Sequence, residues 1–132
     1  IAQGMLVADE LALPYAYVRP KPKDHGMKNQ IEGELPVGSK VVVVEDLIST
    51  GGSSLKAVAA LREAGFEVVG MVASYTYGFP VAEEAFREAN VKLVTLTDYE
   101  HVVEKALETG YIKESEVSML HDWRKDPANW KK

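Results

Sequence analysis

Glu45 and Asp46 stand side by side directly after Val41-Val42-Val43-Val44, and Ser49-Thr50-Gly51-Gly52-Ser53-Ser54 follows two residues later. Adjacent carboxylates at the end of a strand can accept hydrogen bonds from hydroxyl groups or face a divalent cation. The glycine and hydroxyl run that follows can turn backbone N–H groups toward an anion, and a helix starting there adds the positive end of its dipole. The hydroxyls of Ser49, Thr50 and Ser53 supply further donors. No lysine sits in the run and neither G-x-x-x-x-G-K-[ST] nor G-x-G-x-x-G occurs, so the loops of nucleotide-triphosphate and dinucleotide sites are excluded. Carboxylates this close to the cradle would repel a bare polyphosphate, whereas a phosphorylated sugar satisfies both halves: hydroxyls for the acids, phosphate for the loop.

The positioning elements can be read around this stretch. Four valines in a row predict a strand over 41–44, buried on both faces as in a parallel sheet. Leu55-Lys-Ala-Val-Ala-Ala-Leu-Arg-Glu63 predicts a helix running to about Ala64, capped by Ser53 or Ser54 and stopped at Gly65. Phe66 to Ser74 reads as the next strand, so the strand–helix–strand passage makes 41–44 and 67–74 parallel. Pro80 opens a helix continued by 81–89 and ended by Asn90, 91–97 is a third strand, and Asp98 caps a helix to about Glu108, stopped at Gly110. A last helix starts at Glu114 and carries Met119, Leu120 and Trp123; Trp123 and Trp130 are expected to pack on the body. Upstream, apolar residues at 1, 5, 6, 7, 11 and 13 predict a helical face over 1–12 with Asp9 and Glu10 on its wet side, ended by Leu13-Pro14 and followed by a short strand over 15–18.

Between that short strand and the valines lies a basic stretch. Arg19, Lys21, Lys23 and Lys28 against Asp24 give a local charge of 4 − 1 = +3. Its prolines and glycines argue against a regular element. Such a stretch can be a solvated loop; flanked by two strands, it can also fold over the same sheet edge as a lid that excludes water and stabilises charge on a departing anion. Tyr75-Thr-Tyr77-Gly-Phe79 ends a strand on that edge too, with aromatics suited either to a base pocket or to packing.

Composition narrows the remaining classes. The 132 residues give one domain with a real core, and Lys+Arg 15 against Asp+Glu 20 leaves −5, which opposes general affinity for nucleic acid or anionic membrane. There is no cysteine, as suits a cytoplasmic protein, and no apolar run approaches the roughly 20 residues of a membrane helix. The opening Ile1-Ala-Gln-Gly-Met, lacking a start methionine and already helical in pattern, reads as the interior of a chain whose N-terminal part is missing.

On the four valines, the acid pair and Thr50-Gly51-Gly52-Ser53, the sequence resembles the type I phosphoribosyltransferases. The segment Arg19-x-x-x-Lys23-x-His25-Gly26, followed by Ile31-Glu32-Gly33, is similar to the catalytic loop of the orotate-specific branch. The resemblance implies an α/β fold with a mostly parallel sheet flanked by helices on both faces, a homodimer and Mg²⁺. The ion would be held mainly by the substrate phosphoribosyl pyrophosphate (PRPP), with orotate as acceptor base. It places PRPP contacts on Glu45, Asp46, Leu47, Ile48, Ser49, Thr50, Gly51, Gly52 and Ser53, with Arg19, Lys23 and His25 at the pyrophosphate. Ser49 matches the orotate contact, and Lys23, His25 and Asp46 carry the catalytic roles, within a flexible lid of about 20–34 for the first two. Many members have a lysine after the arginine where this chain has Pro20, with Lys21 next to it. The arginine that meets the orotate carboxylate in some members has no counterpart near Tyr77. The same ribose-phosphate loop serves purine enzymes and regulators that bind RNA; the lid motif separates this chain from the first and its acidic balance from the second.

Overall fold

A computed structural model describes residues 1–21 and 30–131. Helix α1 (Ala2–Glu10) leads into strand β1 (Tyr17–Val18), which pairs antiparallel with β2 (Ile31–Glu32). The chain continues through β3 (Lys40–Ile48), α2 (Gly52–Glu63), β4 (Glu67–Thr76), α3 (Pro80–Glu88), β5 (Leu93–Asp98), α4 (Tyr99–Glu108) and α5 (Glu114–Lys125), closing on a 3-10 turn at Pro127–Asn129. Strands β3, β4 and β5 form a parallel sheet in that order, so the α/β reading with its parallel pairing holds.

The core explains why the valine strand is central to the design. Ile48, Val58, Met71, Ala73, Ala82, Phe86 and Val91 form one buried cluster between the sheet and helices α2 and α3. Full burial of side chains such as Ile48 and Met71 contributes about 1.5–3 kcal/mol each. On the opposite face α1 lies against β3, with Gln3 Nε2 3.5 Å from Ser74 Oγ. Beyond α1 that face is open, and Val72 and Val94 are substantially exposed.

Several boundaries differ from the sequence reading. β3 does not stop before the acids: Glu45, Leu47 and Ile48 still pair with Ala73, Tyr75 and Thr76, because the neighbouring strand is long enough to carry the ladder onward. The short strand after Pro14 stays outside the parallel sheet. Its partner is Ile31–Glu32, a regular element in a stretch whose prolines and glycines argued against one; the pairing uses residues that flank those breakers, and Arg19 N donates to Gln30 O at 2.7 Å. α1 buries only Gly4, which meets the Tyr15 ring, while Met5, Leu6 and Leu11 are exposed, so the predicted apolar face has no cover in this structure. The helix ends at Gly65, Asn90 and Gly110 fall as expected, as do the cap at Asp98 and the start at Pro80.

Candidate functional site

The carboxyl end of β3 delivers two carboxylates and then turns sharply. Glu45 faces α2: its Oε2 accepts a 2.8 Å hydrogen bond from the buried Ser54 hydroxyl, and its Oε1 accepts from Asp46 N at 3.1 Å. Asp46 is exposed, and its Oδ1 accepts from Leu47 N at 2.6 Å. The side-chain hydrogen bond with Glu45, and next the Leu47 N–H, hold the Asp46 carboxyl below the usual carboxylate range. An ionised, exposed carboxylate pinned by its own backbone suits hydrogen bonding to sugar hydroxyls.

The turn itself is Ser49-Thr50-Gly51. Gly51 is the N-cap of α2 with φ +83°, a left-handed conformation that β-carbon-bearing residues adopt only at a cost. It is also buried against α3: a Cβ there would lie 2.7 Å from Phe86 Cε2. No side chain caps α2. Neither Ser53 nor Ser54 takes the expected cap position; both lie inside the first turn, and Ser54 spends its hydroxyl on Glu45 instead. The first-turn N–H groups at Gly52 and Ser53 are therefore left for a ligand, at the positive end of the helix and beside the exposed Ser49, Thr50 and Ser53 side chains. Ile48 is fully buried, so only its backbone borders the turn, and its carbonyl accepts from Tyr77 N at 3.1 Å. Leu47 is partly exposed.

The remaining expected residues are distributed around this centre. Arg19, at the end of β1, forms an ion pair with Glu32 across the hairpin at 3.1 Å, and β1 lies beside α2. Lys23 and His25 lie outside the described residues. Tyr77 sits among Tyr75, Phe79, Tyr99 and Trp123, with ring centroids 5.1–6.1 Å away, so the aromatics that end β4 are engaged in packing. Burial, followed by the neighbouring Tyr77, pushes the Tyr75 hydroxyl up to about 12. Trp130 is half-buried, with Lys131 Nζ 5.6 Å from its ring. Two participants were not foreseen. Phe86, which abuts Gly51, belongs to the apolar 82/86 face of α3, a spacing visible in the sequence; Arg124, which bonds the turn after Tyr77, has no local signal at all.

Among the described residues no group of three or more His, Cys, Asp or Glu side chains is arranged to hold a metal ion. Among the described residues, the donors at the end of β3 are the Glu45–Asp46 pair. That set fits Mg²⁺ only as a cation that keeps most of its shell from water and ligand phosphates, which is how Mg²⁺ ordinarily binds. No described helix is long and apolar enough to cross a membrane.

Comparison with known proteins gives this geometry a setting. Residues 3–109 match the family model described as "Phosphoribosyl transferase domain". Over 130 residues the chain is 70% identical to an orotate phosphoribosyltransferase of Bacteroides thetaiotaomicron, covering 98% of this chain and 61% of that protein. Among solved structures, an orotate phosphoribosyltransferase from Aeropyrum pernix superposes with a TM-score of 0.70 at 33% identity, covering 83% of this chain and 59% of that one. The Mycobacterium tuberculosis orotate phosphoribosyltransferase in complex with PRPP gives 0.55 at 30% identity, covering 67% of this chain and 49% of that one. The chain thus spans about 61% of the length of the curated relative from Bacteroides thetaiotaomicron.

Proposed function

Because the chain belongs to the phosphoribosyltransferase family, we propose that it carries the PRPP site of an enzyme that transfers phosphoribose to orotate, giving orotidine 5′-monophosphate and pyrophosphate. The observation that carries this reading is the α2 N-terminus: an N-cap glycine with no side-chain cap, directly after an ordered carboxylate pair. The N–H groups and hydroxyls of residues 49–53 hold the 5′-phosphate. Glu45 and Asp46 accept from the ribose hydroxyls, and Ser49 meets the base. A new bond forms from a ring nitrogen of orotate to the anomeric carbon as the bond to pyrophosphate breaks, the electron pair leaving with pyrophosphate and the proton of the ring N–H passing to pyrophosphate or water. Positive charge grows on the sugar in between, so catalysis rests on positioning and electrostatics. Asp46, held ionised, favours that charge.

Arg19, together with Lys23 and His25 of a lid over about 20–34, stabilises the leaving pyrophosphate. In the structure Arg19 is paired with Glu32, both side chains about one-third exposed, and an ion pair of that kind is worth only about 0–1 kcal/mol, so its guanidinium can be redirected at small cost. Mg²⁺ would be held mainly by PRPP, with the Glu45–Asp46 pair as the protein donors facing it, and would supply neutralisation of the phosphate charge. The active species is a cytoplasmic homodimer, with the remainder of the relatives' length contributing outside this 132-residue domain.

The test is orotate consumption by the full-length protein with PRPP and Mg²⁺, run beside adenine, hypoxanthine and xanthine. Loss of orotate absorbance that requires both PRPP and metal supports the reading; turnover of a purine instead keeps the site and overturns the base. Asp46→Asn and Lys23→Ala are each expected to lower turnover at least about tenfold, the loss of one hydrogen bond to a charged group, without unfolding the domain. Near-normal turnover in both would remove these residues from the mechanism.

A further inference from the structure

We propose that Arg124, on the C-terminal helix, is a positioning residue for the phosphate loop and acts on it through the turn that follows β4. The inference rests on the reading of residues 49–53 as a phosphate cradle and adds the device that holds it.

Arg124 Nε donates to Tyr77 O at 2.9 Å and Arg124 Nη2 donates to Gly78 O at 3.0 Å. Two bonds from one planar guanidinium to consecutive carbonyls fix the direction of a peptide, which a single point donor cannot do. The peptide in question is joined to the cradle on its other side. Tyr77 N donates to Ile48 O at 3.1 Å, and Ile48 directly precedes Ser49. One residue, Tyr77, is therefore gripped by α5 through its carbonyl and grips the root of the cradle through its N–H.

The turn has no slack. Gly78 takes φ +66°, its N–H donates to Thr76 Oγ1 at 3.0 Å, and a Cβ on it would stand 3.1 Å from Arg124 Nη2. Packing of α5 comes from rings, including that of Tyr77 itself, 5.6 Å from Trp123. Trp123 lies 5.6 Å from the Tyr99 ring, and Tyr99 Oη donates to Leu120 O at 2.8 Å. The aromatic cluster thus seats the helix, while the guanidinium aims the turn. That division of labour predicts that removing the guanidinium moves the cradle more than it destabilises the domain.

The experiment compares wild type, Arg124→Gln and Arg124→Lys by calorimetric titration with ribose 5-phosphate, by thermal melting, by amide NMR shifts of residues 48–52, and by steady-state kinetics on the full-length protein. Arg124→Gln is expected to weaken ribose 5-phosphate binding and raise the KM for PRPP about tenfold, to change kcat less, and to shift the amides of Ser49 to Gly52. Arg124→Lys, keeping one donor, is expected to recover part of the loss, with binding about threefold weaker than wild type. Unchanged binding in both variants overturns the inference, as does a loss that tracks melting temperature alone without rescue by lysine. Should Arg124→Gln fail to fold, the lysine variant still decides: wild-type affinity with unshifted cradle amides overturns the proposal. Absence of ribose 5-phosphate binding by the wild-type protein overturns the cradle reading itself, and this inference with it.

Discussion

Two helices begin at the same edge of the parallel sheet and are capped in opposite ways. α4 starts at Asp98, whose Oδ1 accepts from His101 N at 2.9 Å and meets His101 Nδ1 at 2.8 Å. α2 starts at Gly51, with a left-handed backbone and no side-chain acceptor. The helix dipole and the orphan N–H groups are present at both termini. At α4 a resident carboxylate accepts from the first-turn N–H of His101 and occupies that terminus. At α2 the orphan N–H groups are left open, with hydroxyls around them and acids one turn upstream. Stability forgone at one cap, only about a few tenths of a kcal/mol where glycine stands in for a capping side chain, leaves that terminus open to an anion.

The comparison breaks most visibly at Gly51. Gly51→Ala forces a Cβ into the left-handed region, at about 1–2 kcal/mol, and presses it on Phe86, at about a further 1–3 kcal/mol. Denaturant melts should show the sum of these losses, and ribose 5-phosphate binding should fall with them. Phe86→Leu in the same chain should recover the crowding part and leave the backbone part. A Gly51→Ala protein as stable as wild type would mean the turn relaxes and that Gly51 is no strict requirement of the cradle.

A gentler change makes α2 resemble α4. Ser53→Asp places a carboxylate in the first turn of α2, where it should raise stability by about 0.3–1 kcal/mol through the dipole. The same charge competes for the N–H groups and repels phosphate, so ribose 5-phosphate affinity should drop at least about tenfold, as expected for like charges a few ångströms apart in partly screened surroundings. Melting temperature and affinity moving in opposite directions is the expected outcome. If affinity survives, the phosphate does not sit on the α2 terminus.

How much of this was legible in the sequence follows from how local each feature is. The valine strand, the acid pair and Gly51-Gly52 carry their own chemistry, so the strand–turn–helix unit, the parallel pairing and the edge it opens on were readable from composition and spacing. The Asp98 cap was readable for the same reason. What the sequence misassigned was competition between near-equivalent partners: Ser54 looks like a cap but faces Glu45, nine residues back in the chain and one element away in space. The hairpin of Tyr17–Val18 with Ile31–Glu32 spans a stretch dense in breakers, and only tertiary pairing makes it regular. The Arg124 clamp joins residues 46 and 47 apart, with no periodicity to announce it. Long-range contacts to backbone carbonyls leave no composition signature, since every residue offers a carbonyl.

The smallest expected effect separates the two caps by pH. The His101 backbone N–H bond first, then the His101 side chain, lower the Asp98 carboxyl from its ordinary 3.8, and the same side-chain bond raises His101 from 6.5. A depressed carboxylate stabilises the fold above 3.8 and loses that contribution as pH falls through its lower folded value. A raised imidazole stabilises below 6.5 and loses its contribution as pH climbs through the higher folded value. The stability difference between wild type and Asp98→Ala should therefore be widest between 3.8 and 6.5 and shrink on both sides. The alkaline loss should be the smaller, because the bond from His101 N to an ionised Asp98 persists there. Loss of such a cap costs about 0.5–2 kcal/mol, and solvent screening at this exposed pair favours the lower end. Denaturant melts at pH 3, 5 and 8 would check the profile, and ribose 5-phosphate affinity should not change between wild type and Asp98→Ala at any one pH, because this terminus is closed by its own side chain. A difference that falls at pH 3 but is the same at pH 5 and pH 8 would leave the cap as a backbone bond alone, without the His101 pairing.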